Sequence, residues 1–171
     1  MPSGLILALA IPLTLEPWQA VNDGVMGGVS SGRMAETAAG LRFEGELSLE
    51  NNGGFASVRR QVEEDLAGTG GVRIQVRGDG RTYQFRLRQD GRFDGTAWRV
   101  EFDTNGEWQT LDLAYAEFEP VFRGRNVPQA GPVVPSMIRQ IGFLLADRNP
   151  GSFQLEIKSI QFLPGGNPGS D

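Results

Sequence analysis

The amino-acid sequence predicts an all-β protein built as an antiparallel two-sheet β-sandwich. Apolar and polar residues alternate with a period of two in many stretches, which is typical of strands with one buried and one wet face. Asp-Gly and Asn-Gly pairs separate these stretches, and such pairs favour tight hairpin loops. The 24 glycines and 10 prolines predict many turns and few long helices. Many short strands joined in this way favour a sandwich over other all-β folds.

The alternation is clearest in LRFEGELSLE, residues 41–50. Leu41, Phe43, Leu47 and Leu49 share one face of this predicted strand, whereas charged and polar residues occupy the other face. The same pattern predicts further strands in VRIQV (72–76), YQFRL (83–87), WRVEF (98–102), IGFLL (141–145) and FQLEIKSIQF (153–162).

Glycine-containing loops separate several of these strands. The loops RGDGRT (77–82), QDGRFDG (89–95) and TNGEW (104–108) supply the positive φ values that hairpins need. Only VEEDLAG (62–68) and PSMIRQI (135–141) are expected to form a helical turn or two.

We expect one domain over residues 1–163, because no internal repeat is visible and the length suits a single core. The tail PGGNPGSD, 164–171, is expected to be disordered.

The N-terminal run MPSGLILALAIPLTLEPW, 1–18, is too short to cross a bilayer, which takes roughly 20 apolar residues. No Lys or Arg precedes its apolar part, so a buried first strand is favoured over an export signal. A cytoplasmic location is therefore expected, with membrane association only through a partner, and periplasmic export is the less favoured alternative.

The composition excludes several classes of function. The chain has no cysteine and no histidine, which excludes thiolate catalysis, Ser-His-Asp catalysis and cysteine-bound or histidine-bound metals. A formal net charge of −5 disfavours nucleic-acid binding, which needs clustered positive charge. No spacing matches a calcium loop, so no metal and no cofactor are expected. Acid-catalysed hydrolysis by two carboxylates across a cleft is the enzymatic alternative that the composition leaves.

The stretch AVNDGVMGGVSSGRM, residues 20–34, contains four glycines and invites comparison with a phosphate-binding loop. It lacks the Lys-Ser/Thr pair of a Walker loop and the glycine order of a dinucleotide-binding fingerprint. We expect Asn22 and Asp23 to bond nearby backbone groups. Met26 and Val29 should pack inward. Gly27 and Gly28 should permit close chain contact against the turn at 51–54.

A second unusual segment is LENNGGFASVRR, residues 49–60. One interpretation is purely structural, a strand, a bulge and another strand, in which Asn51 and Asn52 tolerate left-handed backbone. The other is a binding site, because two amides, the Ser57 hydroxyl and the Arg59 guanidinium would together suit a polar or anionic ligand.

Arginine supplies fifteen of the sixteen basic residues, and several arginines fall on outward strand faces. They either pair across strands with acidic residues, where exposed pairs add little stability, or form a polar face that receives an anionic ligand, a sugar or a partner protein. The outward arginines are Arg73, Arg77, Arg86, Arg88 and Arg99, and the expected acidic partners are Glu44, Glu46, Glu101 and Asp103.

Two long motifs resemble a known protein family. WQAVNDGVMGGVSSG (18–32) and FEGELSLENNGGFASVR (43–59) are similar to the domain of the complex I intermediate-associated protein 30 (CIA30) family. The resemblance runs from about residue 13 to 163 and includes VRGDGRTYQFRLR (76–88), Trp108 with LDL (111–113), IGFLL (141–145) and GSFQLEIKSI (151–160).

The resemblance implies a galactose-binding-like β-sandwich of the jelly-roll type. Mitochondrial members of the family assist assembly of the respiratory NADH:ubiquinone oxidoreductase, and related plastid proteins act in photosystem biogenesis. This chain is similar to the stand-alone bacterial members, which carry no long extension and no fused domain. The family implies no established catalytic residues.

Residues and resemblance together favour a non-enzymatic binding or assembly domain for a membrane redox or photosynthetic complex. Its partner would be a protein subunit or assembly intermediate, and the chain itself would not be an integral membrane protein. The alternative is a small-ligand or carbohydrate-binding module, which would need an exposed tryptophan, although the alternation places Trp98 inward. The candidate binding residues are Asn22, Asp23, Ser30, Arg33, Asn51, Asn52, Ser57, Arg59, Arg86 and Arg88.

Overall fold

The computed structural model describes residues 8–92 and 94–165. Strands dominate this part of the chain. In sequence order they are β1 (Leu9–Ala10), β2 (Gln19–Ala20), β3 (Ser31–Glu36), β4 (Leu41–Leu47), β5 (Ala56–Gln61), β6 (Thr69–Gly78), β7 (Thr82–Arg88), β8 (Ala97–Asp103), β9 (Gln109–Ala114), β10 (Glu119–Phe122), β11 (Arg125–Asn126), β12 (Gln140–Leu145) and β13 (Gly151–Pro164).

The strands form two antiparallel sheets that face each other. The six-stranded sheet has the order β3-β4-β13-β6-β9, with β1 added alongside β13, and the seven-stranded sheet has the order β11-β10-β8-β7-β12-β5-β2. Neighbours in each sheet are often distant in sequence, because the chain crosses repeatedly from one sheet to the other. The predicted antiparallel two-sheet sandwich is therefore confirmed.

Inward residues of both sheets share one apolar core, as the alternation predicted. Phe43 and Phe153 of the six-stranded sheet pack edge to face at 4.9 Å between ring centroids, and Phe85 and Phe143 of the seven-stranded sheet do so at 5.2 Å. Such edge-to-face pairs add to the free energy gained by burying the rings. Trp98 is buried, so its predicted inward position is confirmed.

Each of the six strands predicted from alternation is present, and each observed strand overlaps its predicted range. The edge strand β3 was not predicted, because only Met34 among its larger side chains is buried and the alternation there is weak. Within the N-terminal run, β1 pairs with β13 and Ile11 is buried, as a first strand requires, whereas residues 1–7 lie outside the described part. Strand β13 ends at Pro164. Residues 166–171 of the expected tail lie outside the described part of the chain.

Helical structure in the described residues is limited to short 3₁₀ turns. The helical turn predicted within 135–141 is confirmed, but the one predicted within 62–68 is wrong. There the Asp65 carboxylate accepts a hydrogen bond from the Ala67 N–H at 3.0 Å, a local turn that competes with helix. The 3₁₀ turns are Asp23–Met26, Glu50–Asn52, Tyr115–Glu117, Pro128–Ala130 and Pro135–Met137.

Candidate binding site on the seven-stranded sheet

The structure divides the predicted site residues into separate groups, of which the first surrounds the buried carboxylate of Asp23. This carboxylate accepts hydrogen bonds from the Ser30 N–H at 2.9 Å, the Ser30 hydroxyl at 2.7 Å, the Gly54 N–H at 2.7 Å and the Phe55 N–H at 3.3 Å. Burial alone would raise the pKa of Asp23, but these hydrogen bonds outweigh burial and lower that pKa below its ordinary value. We call these four residues the Asp23 cluster.

Neighbouring residues complete the connection between loop 20–34 and the start of β5. The Asn22 side chain accepts a hydrogen bond from the Ser57 N–H at 3.1 Å and donates one to the Gly32 carbonyl at 3.2 Å. A Cβ at Gly28 would lie 2.4 Å from the Asp23 carboxylate carbon, so only glycine leaves room for the cluster. The predicted backbone bonding of Asn22 and Asp23 is thus confirmed.

Other expectations for this loop have different outcomes. Val29 is 54% exposed, so its predicted inward packing is wrong. The loop does not follow the alternation of a strand here, because a 3₁₀ turn at Asp23–Met26 and the left-handed Gly27, with a φ of 90°, set its direction. The side chain of Met26 lies outside the described residues.

Three further candidates lie apart from the Asp23 cluster or outside the described side chains. Arg33 projects from β3 on the six-stranded sheet, where its guanidinium is 2.6 Å from the Glu44 carboxylate. Asn51 is exposed and has a φ of 56°, the left-handed backbone expected of it. The side chain of Asn52 lies outside the described residues.

The remaining candidates meet on the outer face of the seven-stranded sheet. Strand β12 lies between β5 and β7, and Gly142 of β12 is in register with Arg59 on one side and Arg86 on the other. A Cβ at Gly142 would lie 2.7 Å from the Val58 carbonyl oxygen, so the sheet requires glycine at this point. The result is a small depression of about 20 Å³, here called the arginine trough, lined by Ser57, Val58, Arg59, Arg86, Arg88, Ile141, Gly142, Phe143 and Leu144.

Positive charge is concentrated in the arginine trough. Burial, followed by the charges of Arg88, Arg99 and Arg59, lowers the pKa of Arg86 to about 9. Burial and Arg88 lower the pKa of Arg59 to about 10, although Asp94 acts in the opposite direction. Both guanidinium groups remain protonated at neutral pH, so the lowered values report the cost of holding like charges together out of water.

Neutral groups hold two of the trough arginines in place. The Nε of Arg86 donates to the Gln84 side-chain oxygen at 2.8 Å, and an Nη of Arg88 donates to the Gly95 carbonyl at 2.8 Å. Each bond uses one of the five guanidinium donors. The bonds therefore orient the side chains without neutralising their charge. Ser57 is less available as a ligand group, because its hydroxyl donates to the Val21 carbonyl.

The arginines of the six-stranded sheet are arranged differently. Arg73 and Arg77 each approach a carboxylate to 2.6 Å, on Asp112 and Glu156 respectively. Cross-strand pairing was predicted, but the predicted partners of these two arginines are wrong. The actual partners lie on β9 and β13, the neighbours of β6 in the sheet, and sheet order is not visible in the sequence.

Part of the trough is formed by residues outside the predicted site. Gly142 and Leu144 are two of these, although the alternation in IGFLL puts them on the face opposite Ile141, Phe143 and Leu145. Arg99 was placed outward but not included in the site; it is in register with Arg86 and lies 3.8 Å from Glu119. The signal was present for each residue, but their convergence depends on β5, β12 and β7 being neighbours.

The described residues contain neither a metal-binding group of acidic side chains nor a helix that could cross a membrane. Over 8–92 and 94–165, no group of three or more acidic side chains comes together in a way that would hold a metal ion. No helix in the same part of the chain has the length and apolar character needed to cross a membrane.

Comparison with solved structures adds to the picture of the fold. A family 11 carbohydrate-binding module from Clostridium thermocellum superimposes with a TM-score of 0.66 at 14% identity, covering 93% of this chain and 96% of the module. The same module in complex with a β-1,3-1,4-mixed-linked tetrasaccharide gives a TM-score of 0.67 at 14% identity, covering 92% and 96%. At this identity the likeness establishes a shared β-sandwich fold of the galactose-binding-like type.

Sequence comparison identifies the family. The mitochondrial complex I intermediate-associated protein 30 of Mus musculus is 27% identical over 169 residues, which cover 85% of this chain and 52% of the mouse protein. The Drosophila melanogaster protein of the same name is 26% identical, covering 87% and 59%. The chain thus spans little more than half the length of these relatives. The family profile described as Complex I intermediate-associated protein 30 matches residues 9–157. The chain therefore belongs to the complex I intermediate-associated protein 30 (CIA30) family.

Proposed function

We propose that this chain is a non-enzymatic binding domain that assists the assembly of a membrane redox complex. Its partner would be a protein, either a subunit or an assembly intermediate of a respiratory NADH:ubiquinone oxidoreductase or of a photosynthetic complex. The observation that carries the proposal is the family match over residues 9–157, since it spans both sheets and nearly the whole sandwich.

The chemistry of the arginine trough suits binding better than catalysis. Among the described residues that line it, none is acidic, so it has no carboxylate to act as a general base. Its hydroxyl, on Ser57, is engaged with the Val21 carbonyl. Arginine recognises anions by planar, bidentate hydrogen bonds and remains protonated at neutral pH. In this proposal Arg59, Arg86 and Arg88 contact the partner, whereas Asn22, Asp23 and Ser30 hold the fold.

The proposal is tested by recovering the tagged protein from its native cells in mild detergent and identifying the proteins that co-purify. In parallel, a deletion strain is compared with wild type by native electrophoresis of its membrane complexes. We expect a subunit of one complex to co-purify and the mature form of that complex to decrease on deletion. Normal abundance of every respiratory and photosynthetic complex in the deletion strain would contradict the proposal.

A small-ligand or carbohydrate-binding module is the alternative, and exposure of Trp108 is the observation that favours it. Trp108 is 37% exposed, while Trp98 is buried and Trp18 is half-buried. However, the Trp108 ring lies 4.9 Å from the Arg77 guanidinium carbon and 5.2 Å from the Lys158 ammonium nitrogen, so cations already occupy positions over the ring. A glycan array with the wild type and with Trp108→Ala tests this alternative, and the absence of any Trp108-dependent binding removes it.

A further inference from the structure

We propose that the arginine trough binds an extended acidic segment of the partner protein, in which carboxylates at alternate positions contact Arg86 and Arg88. The inference rests on the proposed function in one respect, that the partner is a protein. It adds the chemical class of the segment and the residues that recognise it.

The geometry of the sheet sets the spacing. Arg86 and Arg88 are two residues apart on β7, so their side chains leave the same face about 6.7 Å apart along the strand. An extended peptide presents alternate side chains at the same interval. Arg59 lies two strands away from Arg86, roughly 9.6 Å across the sheet, with Gly142 between them. The depression beside Gly142 holds only about 20 Å³, so an extended segment would lie across the outer ends of these arginines.

The charge distribution selects an anion. The acceptors that hold Arg86 and Arg88 are an amide oxygen and a backbone carbonyl, so neither bond supplies negative charge. On the opposite sheet, Arg33, Arg73 and Arg77 each lie 2.6 Å from a carboxylate. The trough is therefore a positive region on a protein with a formal net charge of −5. Burial first, and the neighbouring arginines second, lower the pKa of Arg86 and of Arg59; a bound carboxylate would offset the repulsion between the arginines.

The surroundings favour carboxylates over denser polyanions. Asp90 and Asp94 act electrostatically on Arg88, and Glu119 lies 3.8 Å from Arg99 at the other side. These acidic groups at the rim would repel a polyphosphate or a nucleic-acid backbone more strongly than isolated carboxylates. Planar guanidinium groups form two parallel hydrogen bonds with carboxylates and with phosphates alike, so the acidic rim is what favours isolated carboxylates. A segment of alternating acidic and small polar residues fits this condition.

The first experiment titrates the full chain into a fluorescein-labelled peptide of alternating Glu and Ser and follows fluorescence anisotropy. Two control peptides have Gln in place of Glu, or the same composition arranged as Glu-Glu-Ser-Ser. We expect binding of the alternating peptide that weakens as salt is added, no binding of the Gln peptide, and weaker binding of the rearranged peptide. Absence of binding by the alternating peptide overturns the proposal, as does equal binding of the rearranged one.

Variants then locate the site. Arg86→Gln and Arg88→Gln should each weaken binding by about tenfold or more, because each removes charge-assisted hydrogen bonds. Arg77→Gln is the matched control, since it removes the same charge from the opposite sheet; it should change the affinity less than about twofold. Arg86→Lys, which keeps the charge but loses the planar fork, should fall between them. If Arg77→Gln weakens binding as much as Arg86→Gln, the interaction is non-specific and the proposal fails.

Further probes separate the competing ligand classes. A phosphoserine version of the peptide and vesicles containing phosphatidylglycerol are measured with the same variants. Tighter, Arg86-dependent binding of either probe than of the Glu peptide would replace the carboxylate segment with a phosphorylated or lipid ligand. Thermal melts of each variant verify folding, and the peptide controls remain decisive with the wild type alone if a variant does not fold.

Failure of this inference is distinguishable from failure of the proposed function. If the partner still co-purifies with the Arg86→Gln, Arg88→Gln double variant, the trough is not the docking site but the assembly role stands. If the wild type binds the Glu peptide but deletion leaves every membrane complex at normal abundance, the acidic-segment site stands and the assembly role fails.

Discussion

The Asp23 cluster and the arginine trough both contain residues that sequence reasoning selected as candidate binding groups, and both adjoin β5. In the cluster, one buried carboxylate is matched by four hydrogen-bond donors from the same chain. In the trough, three guanidinium groups of the same charge lie close together. The balance of charge and hydrogen bonds, more than polarity or burial, therefore separates a structural polar cluster from a surface prepared for a ligand.

The largest expected effect comes from removing the carboxylate at the centre of the cluster. Asp23→Ala leaves the Ser30, Gly54 and Phe55 donors without their acceptor, so we expect a loss of at least about 3 kcal/mol in the free energy of unfolding. Urea denaturation measures it. Asp112→Ala, which removes an exposed carboxylate from the six-stranded sheet, should unfold like wild type. A loss below about 1 kcal/mol for Asp23→Ala would show that the cluster does not support the fold.

The adjacent glycines provide a graded version of the same comparison. Gly27 has a φ of 90° but open space where a Cβ would lie, so Gly27→Val should cost roughly 1–3 kcal/mol through the backbone alone. Gly28→Val should cost more, because its Cβ would meet the Asp23 carboxylate at 2.4 Å. Thermal and urea unfolding of the two variants establish the order. The reverse order would mean that the cluster yields easily to an added side chain.

Acid should weaken the cluster in a defined direction. The pKa of Asp23 is lower in the folded state than its ordinary value of 3.8, so its stabilising contribution is complete above that value and is lost as the pH falls through the folded-state pKa. The stability difference between wild type and Asp23→Asn should therefore shrink below about pH 4. Urea unfolding from pH 6 to pH 2.5 tests this, and a difference that stays constant to pH 2.5 contradicts it.

The smallest expected effect distinguishes the trough from the cluster by its sign. Because burial and neighbouring arginines disfavour the charged form of Arg86, Arg86→Gln should leave the stability unchanged or raise it, on the order of 0.5 kcal/mol. The gain should diminish in high salt, which screens the repulsion. Chemical denaturation at low and high salt measures both quantities. A marked loss of stability in low salt would assign Arg86 to the fold instead of to binding.

Several site features were predictable because they depend on local pattern. The alternation in YQFRLR placed Arg86 and Arg88 outward, and the same alternation in IGFLL placed Gly142 on the corresponding face of its own strand. Asn22 and Asp23 were expected to bond backbone because such residues do so in glycine-rich turns. Val29 was predicted wrongly since the 3₁₀ turn before it interrupts the period of two. The arginine partners Asp112 and Glu156 could not be identified, because each lies on a strand distant in sequence.

Short-range periodicity and long motifs are enough to predict the antiparallel sandwich, the inward and outward faces of its central strands, and membership of the family. The order of the strands is visible only in the folded molecule. There β12 lies between β5 and β7, Arg59 lies beside Gly142 and across from Arg86, and Asp23 receives donors from residues 54 and 55. Sheet order depends on the shared packing of both sheets on one core, to which every strand contributes and which no single segment encodes.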